Sequence, residues 1–560
     1  MVKDNLKQEK DFYVNQQEFD YIIIGGGSSG CVLAGRLSEN PSVSVCLLEA
    51  GGAGDGWKVE VPCAAVISIP TKINNWAFET VPQRGLNGRK GYQPRGKCLG
   101  GSSAINAMVY IRGHRQDYDD WAALGNEGWS YDGVLPYFIK SEKNERIKDQ
   151  YHGNDGPLSV IDLHSDNPLQ EKYIAAAKEQ GYKILDDFNG AEQEGLGVYQ
   201  VTHINGERCS SARAYLFPHR ERKNLTIETH AQTHRILIEN GVAVGVEYKQ
   251  NGQLKQIRAR REVLLSAGAM QSPQILMLSG VGDQQELMQH GIEVKKHLPG
   301  VGKNFHDHPD FIFAYKVSEI QGTFGLSIAG SIDLFKQIGR YRKERRGLIT
   351  TNFAECGGFI KSSDEQTVPN LQLHFVVALV DNHARTMHTG HGISCHVCLL
   401  NPKSRGTIKI SGPSIDDPLL IDPDFYGDES DLEEMVKGFK LTQKLMESNA
   451  FKSMIKEDLF TSNIQTDEEI RQILRDRSDT VYHPVGSCKM GVDDMAVVDP
   501  RLCVYGIKNL RVVDASIMPK VVNGNTNAPA IMIAEKAVDM IREDQASVAF
   551  IEKKEKEGVA

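Results

Sequence analysis

The chain lacks the features that mark membrane-spanning, secreted and nucleic-acid-binding proteins. No uninterrupted apolar stretch approaches the roughly 18 residues that a membrane span needs, and residues 1–18 are polar and charged, without the apolar core of a signal peptide. The 64 basic residues are outnumbered by 73 acidic ones, so the net charge of −9 gives no reason to expect a nucleic-acid partner. Only ten cysteines occur in 560 residues, which without secretion favours free thiols over a disulfide framework. Together these absences predict a cytoplasmic enzyme.

A Gly-rich turn near the N-terminus is the first strong motif. A β-branched apolar run ends at Ile24, and Gly25, Gly27 and Gly30 then form G-x-G-x-x-G, with apolar residues continuing at helical spacing. Such glycines allow a tight turn, a close approach to a pyrophosphate, and packing of the helix on the strand. Ser28 and Ser29 lie in the same turn and share the predicted cofactor contact.

An acidic residue completes the nucleotide motif. A second apolar strand, residues 43–48, ends at Glu49, which follows Gly30 by 19 residues. A carboxylate that binds a ribose is expected about 20 residues after the last glycine. The residues alone therefore predict a dinucleotide with an unphosphorylated adenosine ribose, either FAD or NAD.

A second Gly-rich stretch lies at residues 94–113, PRGKCLGGSSAINAMVYIRG. Small residues at 100–104, including Gly101, let the backbone approach a flat or anionic group, and Ser102 and Asn106 offer hydrogen bonds. This composition favours ligand contact over a simple turn.

Metal binding is not predicted. Cys395 and Cys398 form C-x-x-C, but no second pair lies nearby, and the surrounding residues alternate as in a half-buried strand.

These motifs and three later stretches together resemble the glucose-methanol-choline (GMC) oxidoreductases. Residues 94–113 are similar to the first signature of that family and residues 268–282 to its second. Residues 482–491, 509–516 and 525–535 complete the pattern, so the resemblance runs from about residue 19 to residue 542. It is strongest to choline-dehydrogenase-like enzymes and bacterial FAD-dependent alcohol dehydrogenases, and it implies FAD instead of NAD.

The resemblance also implies an α/β fold in which a Rossmann-like FAD-binding domain is interrupted by an α+β, sheet-containing substrate domain. The FAD-binding domain is expected to comprise residues 1–155, 200–312 and 478–560. The substrate domain is expected to comprise 156–199 and 313–477. The residue patterns agree, since residues 242–248 and 255–259 flank Asn251-Gly252 as in a hairpin.

Several positions acquire expected roles from the resemblance. Some family members attach FAD to a histidine at the position of Ile105, so FAD is expected to be bound non-covalently here. Asp514 is similar to the family residue near the flavin pyrophosphate or ribityl chain, and the backbone of Gln232 is expected to meet the adenine. Asn525 is expected to face the flavin.

Two residues are predicted to carry the chemistry. A histidine is a suitable base for an alcohol because its ordinary pKa is about 6.5. His483 occupies the position of the family's catalytic histidine, and Asn527 is predicted as its partner, orienting the substrate oxygen, with Asn525 as the main rival for that role. His306 and His308, in a separate loop, are predicted to make loop hydrogen bonds.

The predicted function is oxidation of a primary alcohol to the aldehyde, with hydride passing to flavin N5 and electrons to a quinone or dye. Two alternatives remain open: an oxidase that reduces O₂ to H₂O₂, and a flavoprotein without net redox that resembles hydroxynitrile lyases. Residues 327–346 read as an amphipathic helix with a basic end. Docking to an anionic surface at the inner membrane is the alternative to a simple solvated helix.

Overall fold

The computed structural model describes residues 17–556, with side chains to residue 547. Two large sheets organise this part of the chain. Their strands are β1 (Glu18–Ile24), β2 (Val45–Leu48), β3 (Leu225–Glu228), β4 (Ala231–Glu239), β5 (Val242–Gln250), β6 (Gln253–Leu265), β7 (Pro309–Val317), β8 (Gly325–Leu326), β9 (Ala354–Ile360), β10 (Leu371–Val376), β11 (Gly390–Leu399), β12 (Ile455–Asp458), β13 (Asp479–Thr480) and β14 (Leu510–Val512).

The longer helices cover these sheets and link them. The helices of six residues or more in the described chain are α1 (Ser28–Leu37), α2 (Arg115–Ala123), α3 (Tyr131–Ser141), α4 (Leu169–Glu179), α5 (Gly268–Leu278), α6 (Gln284–Gln289), α7 (Ile328–Glu344), α8 (Glu429–Met446), α9 (Asp467–Arg477) and α10 (Asn527–Lys556).

The first sheet has the order β3-β2-β1-β6-β5-β4, with β14 beside β6. Strands β3, β2, β1, β6 and β14 are parallel neighbours, and Ile24 at the end of β1 lies level with Leu48 and Leu265. Parallel strands are covered on both faces, which explains why the residues at the end of β1 and all of β2 are buried. The carboxyl ends of β1, β2 and β6 therefore open on one edge, where ligands bind in such sheets.

The predicted hairpin is confirmed as β5 and β6. The two residues between them, Asn251 and Gly252, have φ of 52° and 78°, the left-handed pair that a two-residue hairpin turn requires. The hairpin extends the parallel part of the sheet with an antiparallel edge.

The second sheet is antiparallel, with the order β9-β10-β11-β7-β12. Helix α8 packs on it and contributes Leu432, Val436 and Phe439 to a second apolar core. Cys395 and Cys398 lie on opposite faces of β11, so the predicted strand is confirmed, but both of its faces are buried where a half-buried strand was predicted. The predicted combination of an α/β part with a second, sheet-containing part is confirmed.

Two strands of the second sheet lie partly or wholly outside the predicted limits of the substrate domain. Strand β7 begins at Pro309, before residue 313, and β13 at 479–480 pairs with β7 although it lies beyond residue 477. A ribbon of Thr407–Lys409 and Leu420–Asp422 places Ile408 and Ile421 in the apolar core of the first sheet. The division into five segments otherwise remains a prediction. Residues 1–16, on which the signal-peptide prediction depends, lie outside those described.

Candidate active site

A cavity of about 360 Å³ extends from the carboxyl edge of the first sheet to the face of the second sheet. One end is lined by the residues that follow β1, β2 and β6. The other end is lined by residues of β9, β10 and β11 and by the loop around His483. The cavity therefore joins the predicted nucleotide motif to the predicted catalytic residues.

The two Gly-rich loops touch each other at this cavity. Gly101 has φ of 52°, and a Cβ on it would lie 2.7 Å from Cα of Gly27, so only glycine allows this contact. A Cβ on Gly27 would meet only the carbonyl of Ser266, at 3.9 Å, which leaves Gly27 open to the cavity. The N-terminus of α1 begins at the next residue, Ser28, and offers free backbone N–H groups to an anion.

Gly30 was predicted among the cofactor-binding residues, but it does not line the cavity. A Cβ there would lie 1.9 Å from the carbonyl oxygen of Gly25. Gly30 thus permits α1 to pack against the end of β1, which is the third role that the motif assigns to a glycine.

Glu49 is almost fully buried at the nucleotide end of the cavity. Its carboxylate accepts hydrogen bonds from the backbone N–H groups of Gly26 at 2.9 Å and Gly51 at 2.7 Å. Burial raises its pKa, and these two hydrogen bonds act in the opposite direction. Glu49 therefore links the first Gly-rich loop to the turn after β2, and its carboxylate also lines the cavity.

Asp514 and Asn106 combine cavity exposure with internal hydrogen bonds. Asp514 accepts from the N–H of Gly268 at 2.9 Å and the hydroxyl of Ser272 at 2.6 Å, so it fixes the start of α5. Asn106 Oδ1 accepts from the buried guanidinium of Arg208 at 2.8 Å, so its amide nitrogen remains to donate. Thirteen of the fourteen predicted site residues line this cavity: Gly25, Gly27, Ser28, Ser29, Glu49, Gly101, Ser102, Asn106, Gln232, His483, Asp514, Asn525 and Asn527.

The residue beside His483 is Asn525, whereas Asn527 was the predicted partner. Nδ2 of Asn525 lies 3.1 Å from Nε2 of His483. Asn527 is the first residue of α10, and its Oδ1 accepts a hydrogen bond from Ser28 Oγ at 2.8 Å. Asn525, in the loop before α10, and Asn527, at its start, thus lie at opposite ends of the cavity, one beside His483 and one beside the nucleotide turn.

A chain of hydrogen bonds fixes which nitrogen of His483 carries the proton. Tyr199 donates its only hydroxyl proton to the carbonyl of Leu373, so it can only accept from Gln372. Gln372 therefore turns its amide nitrogen outward and donates to Asn525 Oδ1 at 3.1 Å. Asn525 must then donate to His483 through Nδ2, which leaves Nε2 of His483 unprotonated.

The other nitrogen of His483 faces a second buried histidine. Nδ1 of His483 lies 3.1 Å from Nδ1 of His308. Because Nε2 of neutral His483 has no proton, Nδ1 carries it and donates to His308. His308 was predicted only to make loop hydrogen bonds, and the structure places it directly behind His483.

Asp307 joins the two loops that carry these histidines. Its Oδ1 accepts from the backbone N–H of His308 at 2.8 Å and from that of His483 at 2.9 Å. Burial raises the pKa of Asp307 to about 6, against the effect of these hydrogen bonds and of nearby Arg95.

Burial and nearby basic groups keep His483 neutral. Burial, then the proximity of His308, His374 and Arg95, hold the pKa of His483 well below its ordinary value. Arg95 itself lines the cavity, donates to the carbonyl of Tyr482 at 2.8 Å, and has its pKa lowered to about 10 by burial. His483 is therefore in the form that can accept a proton at neutral pH.

The substrate end of the cavity is mainly apolar. Its walls carry Phe353, Ala354, Val376, Leu379 and Val380. The carboxylates that line the cavity are those of Glu49 and Asp514, which belong to the nucleotide end. His374 and His396 lie on β10 and β11 of the same wall, and burial lowers the pKa of His374 to about 3.

Four residues of the site were not singled out from the sequence: Gln372, His374, His396 and Arg95. The first three lie in strands of ordinary alternating pattern, where nothing in the sequence shows which side chain faces the cavity. Arg95 lies inside the first signature, but the signature alone does not show which of its basic residues lines the cavity.

The family models agree with this geometry. Residues 19–310 match the N-terminal GMC oxidoreductase model, and residues 402–534 match the C-terminal one. The chain belongs to the GMC oxidoreductases. An alcohol dehydrogenase [acceptor] from Pseudomonas putida is 46% identical over 540 residues, covering 95% of this chain and 97% of that protein.

Two further relatives show how far the similarity extends. The mitochondrial choline dehydrogenase of Homo sapiens is 41% identical, covering 94% of this chain and 90% of that protein. A formate oxidase variant from Aspergillus oryzae, studied for modification of its FAD, has 28% identity and a TM-score of 0.87, covering 95% of this chain and all of that one.

The cofactor of this GMC oxidoreductase is FAD, and the residues present fit it. The glycine opening at Gly27, the N-terminus of α1 and the Glu49 carboxylate are suited to a pyrophosphate and a ribose. The same cavity is also lined by Asn106 and His483. The enzyme is a flavin-dependent alcohol or choline oxidoreductase.

Proposed function

We propose that this enzyme oxidises an apolar primary alcohol to the aldehyde and passes the electrons to a quinone or an artificial dye. The observation that carries the proposal is the pair His483 and Asn525, with an unprotonated nitrogen beside an amide donor at the apolar end of the cavity. The similarity to an alcohol dehydrogenase [acceptor] over nearly the whole chain supports both the substrate class and the use of an acceptor.

In this proposal His483 is the base. The alcohol hydroxyl enters between Asn525 and His483, replacing their hydrogen bond: the hydroxyl proton points to Nε2, and the oxygen accepts from Asn525 Nδ2. As the proton moves to Nε2, negative charge grows on the oxygen, and the Asn525 amide stabilises it. FAD, bound non-covalently because Ile105 offers no nucleophile, supplies the hydride acceptor.

His308 offers His483 a hydrogen-bond acceptor both before and after proton transfer. After proton transfer the imidazolium still donates from Nδ1 to His308, whose Nδ1 lone pair faces it at 3.1 Å. His308 is itself fully buried, with a pKa lowered to about 3 by burial, so it remains a neutral acceptor. One proton therefore lies between the two Nδ1 atoms, and His308 does not take up a proton of its own at that nitrogen.

The cavity walls favour an apolar alcohol over choline. A trimethylammonium group needs an aromatic cage or a carboxylate nearby. The apolar end supplies no carboxylate, and the ring of Trp76 at the cavity stacks on Phe78 and lies with its centroid 4.0 Å from Lys97 Nζ. An aliphatic or aromatic chain instead gains contact with Phe353, Val376 and Leu379.

The compartment proposed for this activity is the cytoplasm. All ten cysteines lie in the described residues, and all are free thiols. Free thiols persist in reducing compartments, whereas secreted proteins oxidise them.

The test is an anaerobic titration of the purified yellow protein with straight-chain primary alcohols, benzyl alcohol and choline, followed by admission of air. The proposal predicts bleaching by apolar alcohols before choline, persisting in air until a quinone or dye is added. Rapid recovery of colour with formation of peroxide would identify the oxidase alternative. No bleaching by any alcohol, together with cleavage of a cyanohydrin, would identify the lyase alternative.

A further inference from the structure

Helix α7 carries three exposed apolar side chains in one row, including the two most exposed large apolar side chains of the described residues. In α7, Ile328 is 85% exposed, Ile332 54% and Phe335 76%. These residues are spaced i, i+4 and i+7, so they form one stripe on the solvent side of the helix. The helix is anchored on its other side, where Tyr341 is buried.

Basic residues flank the same stripe. Lys336, Arg342 and Lys343 are exposed, and among the described residues none of the three forms an ion pair. The neighbouring arginines differ, since Arg340 and Arg346 both pair with Asp166. The helix therefore carries free positive charge next to free apolar surface, in a protein whose net charge is −9.

The segment that leads into α7 packs against the wall of the cavity. Phe324, just before α7, pairs with Ala378, and its ring lies 4.9 Å from that of Phe353. Both Ala378 and Phe353 line the apolar end of the cavity. Met387, which is 72% exposed, lies in the loop that supplies Ala384 to the same wall.

We propose that α7 docks on an anionic lipid surface, with Ile328, Ile332 and Phe335 entering the headgroup region and Lys336, Arg342 and Lys343 contacting acidic headgroups. A lipid surface fits both halves of the feature, because apolar side chains and unpaired cations on one helix bind such surfaces together. No helix among residues 17–556 is long and apolar enough to cross a membrane, so the contact is a surface one. Docking would turn the apolar end of the cavity toward molecules dissolved in the bilayer.

The test is flotation of the FAD-loaded full chain with vesicles of phosphatidylcholine alone and of phosphatidylcholine mixed with phosphatidylglycerol. The proposal predicts flotation with the anionic vesicles, weakened by salt. The double variant Ile332→Ser/Phe335→Ser should lower binding by about tenfold or more. Lys336→Gln/Arg342→Gln/Lys343→Gln should lower it by about fivefold per charge. The control is Leu254→Ser/Met288→Ser, which changes exposed apolar residues of the first sheet and α6 and should float as the wild type does.

Two results would overturn the proposal. The first is wild-type protein that stays unbound to anionic vesicles at low salt, or apolar variants that float unchanged. The second is a wild-type dimer, without vesicle binding, that the Ile332→Ser/Phe335→Ser change converts to a monomer, because the stripe would then be an interface between copies. Dye-linked alcohol oxidation by the same preparations separates a failure of docking from a failure of the proposed function.

Discussion

Asn525 Nδ2 lies 3.1 Å from His483 Nε2, and this contact fixes the orientation of both side chains at the apolar end of the cavity. It joins the loop before α10 to the loop after β13, and the amide of Gln372 from the second sheet sets its direction. The nitrogen proposed as the base is thus oriented by residues from three distant parts of the chain.

Substituting Asn525, before α10, and Asn527, at its start, should have different effects. Asn525→Ala removes the donor to the alcohol oxygen and should slow flavin reduction by about 10²–10³. Asn527→Ala removes a contact to Ser28 Oγ and should instead weaken FAD retention, with reduction changed only a few-fold in the loaded fraction. Stopped-flow reduction and flavin content measure the two effects. The opposite pattern would return the catalytic role to Asn527.

Gln372 should act as a positioning residue, without touching the substrate. In Gln372→Glu the carboxylate cannot donate to Asn525 Oδ1, so the Asn525 amide loses the group that fixes its orientation, and the added charge favours protonated His483. We expect a lower kcat and an acid limb of kcat/KM that moves to higher pH. Gln372→Leu should lower kcat without moving the limb. If both variants had wild-type pH profiles and rates, the hydrogen-bond chain would have no catalytic meaning.

The pH dependence should follow the depressed pKa of His483. The base works only when unprotonated, so activity is full above its pKa and falls as pH decreases through it. Since burial and the neighbours His308, His374 and Arg95 hold that pKa well below the ordinary value, kcat/KM should stay level from neutral pH down past about 6.5. An acid limb of kcat/KM near or above pH 6.5, measured with a substrate that dissociates faster than it reacts, would contradict this assignment.

Much of this architecture could be predicted because glycine spacing and apolar runs are local. The turn at Gly25–Gly30, the hairpin at Asn251-Gly252 and the turn around His483 all follow from neighbouring residues. The direction of a side chain in a loop is different, because it depends on what packs around it. Asn525 and Asn527 are two residues apart and chemically identical, and only the packing of Gln372 and Ser28 decides which one meets His483. The contact of His308 with His483 could not be predicted for the same reason, because it depends on how two distant loops pack.

The mode of FAD attachment gives an independent check on the cofactor site. Because Ile105 lines the cavity where a nucleophilic side chain would be needed, we expect the flavin to be released by acid precipitation of the protein. The yellow colour should move fully to the supernatant, where its spectrum and mass identify FAD. Flavin that stays with the pellet would show a covalent bond through another residue.

The central claim is that His483 accepts the hydroxyl proton while the flavin is reduced. The direct measurement is anaerobic stopped-flow reduction of FAD-loaded wild type and His483→Ala by the best primary alcohol, with flavin content and the dissociation constant of a substrate analogue as controls. We predict a reduction rate lower by about 10² or more in the variant, with FAD and the analogue still bound. A rate within a few-fold of the wild type would contradict the account, because the proton would then leave by another route.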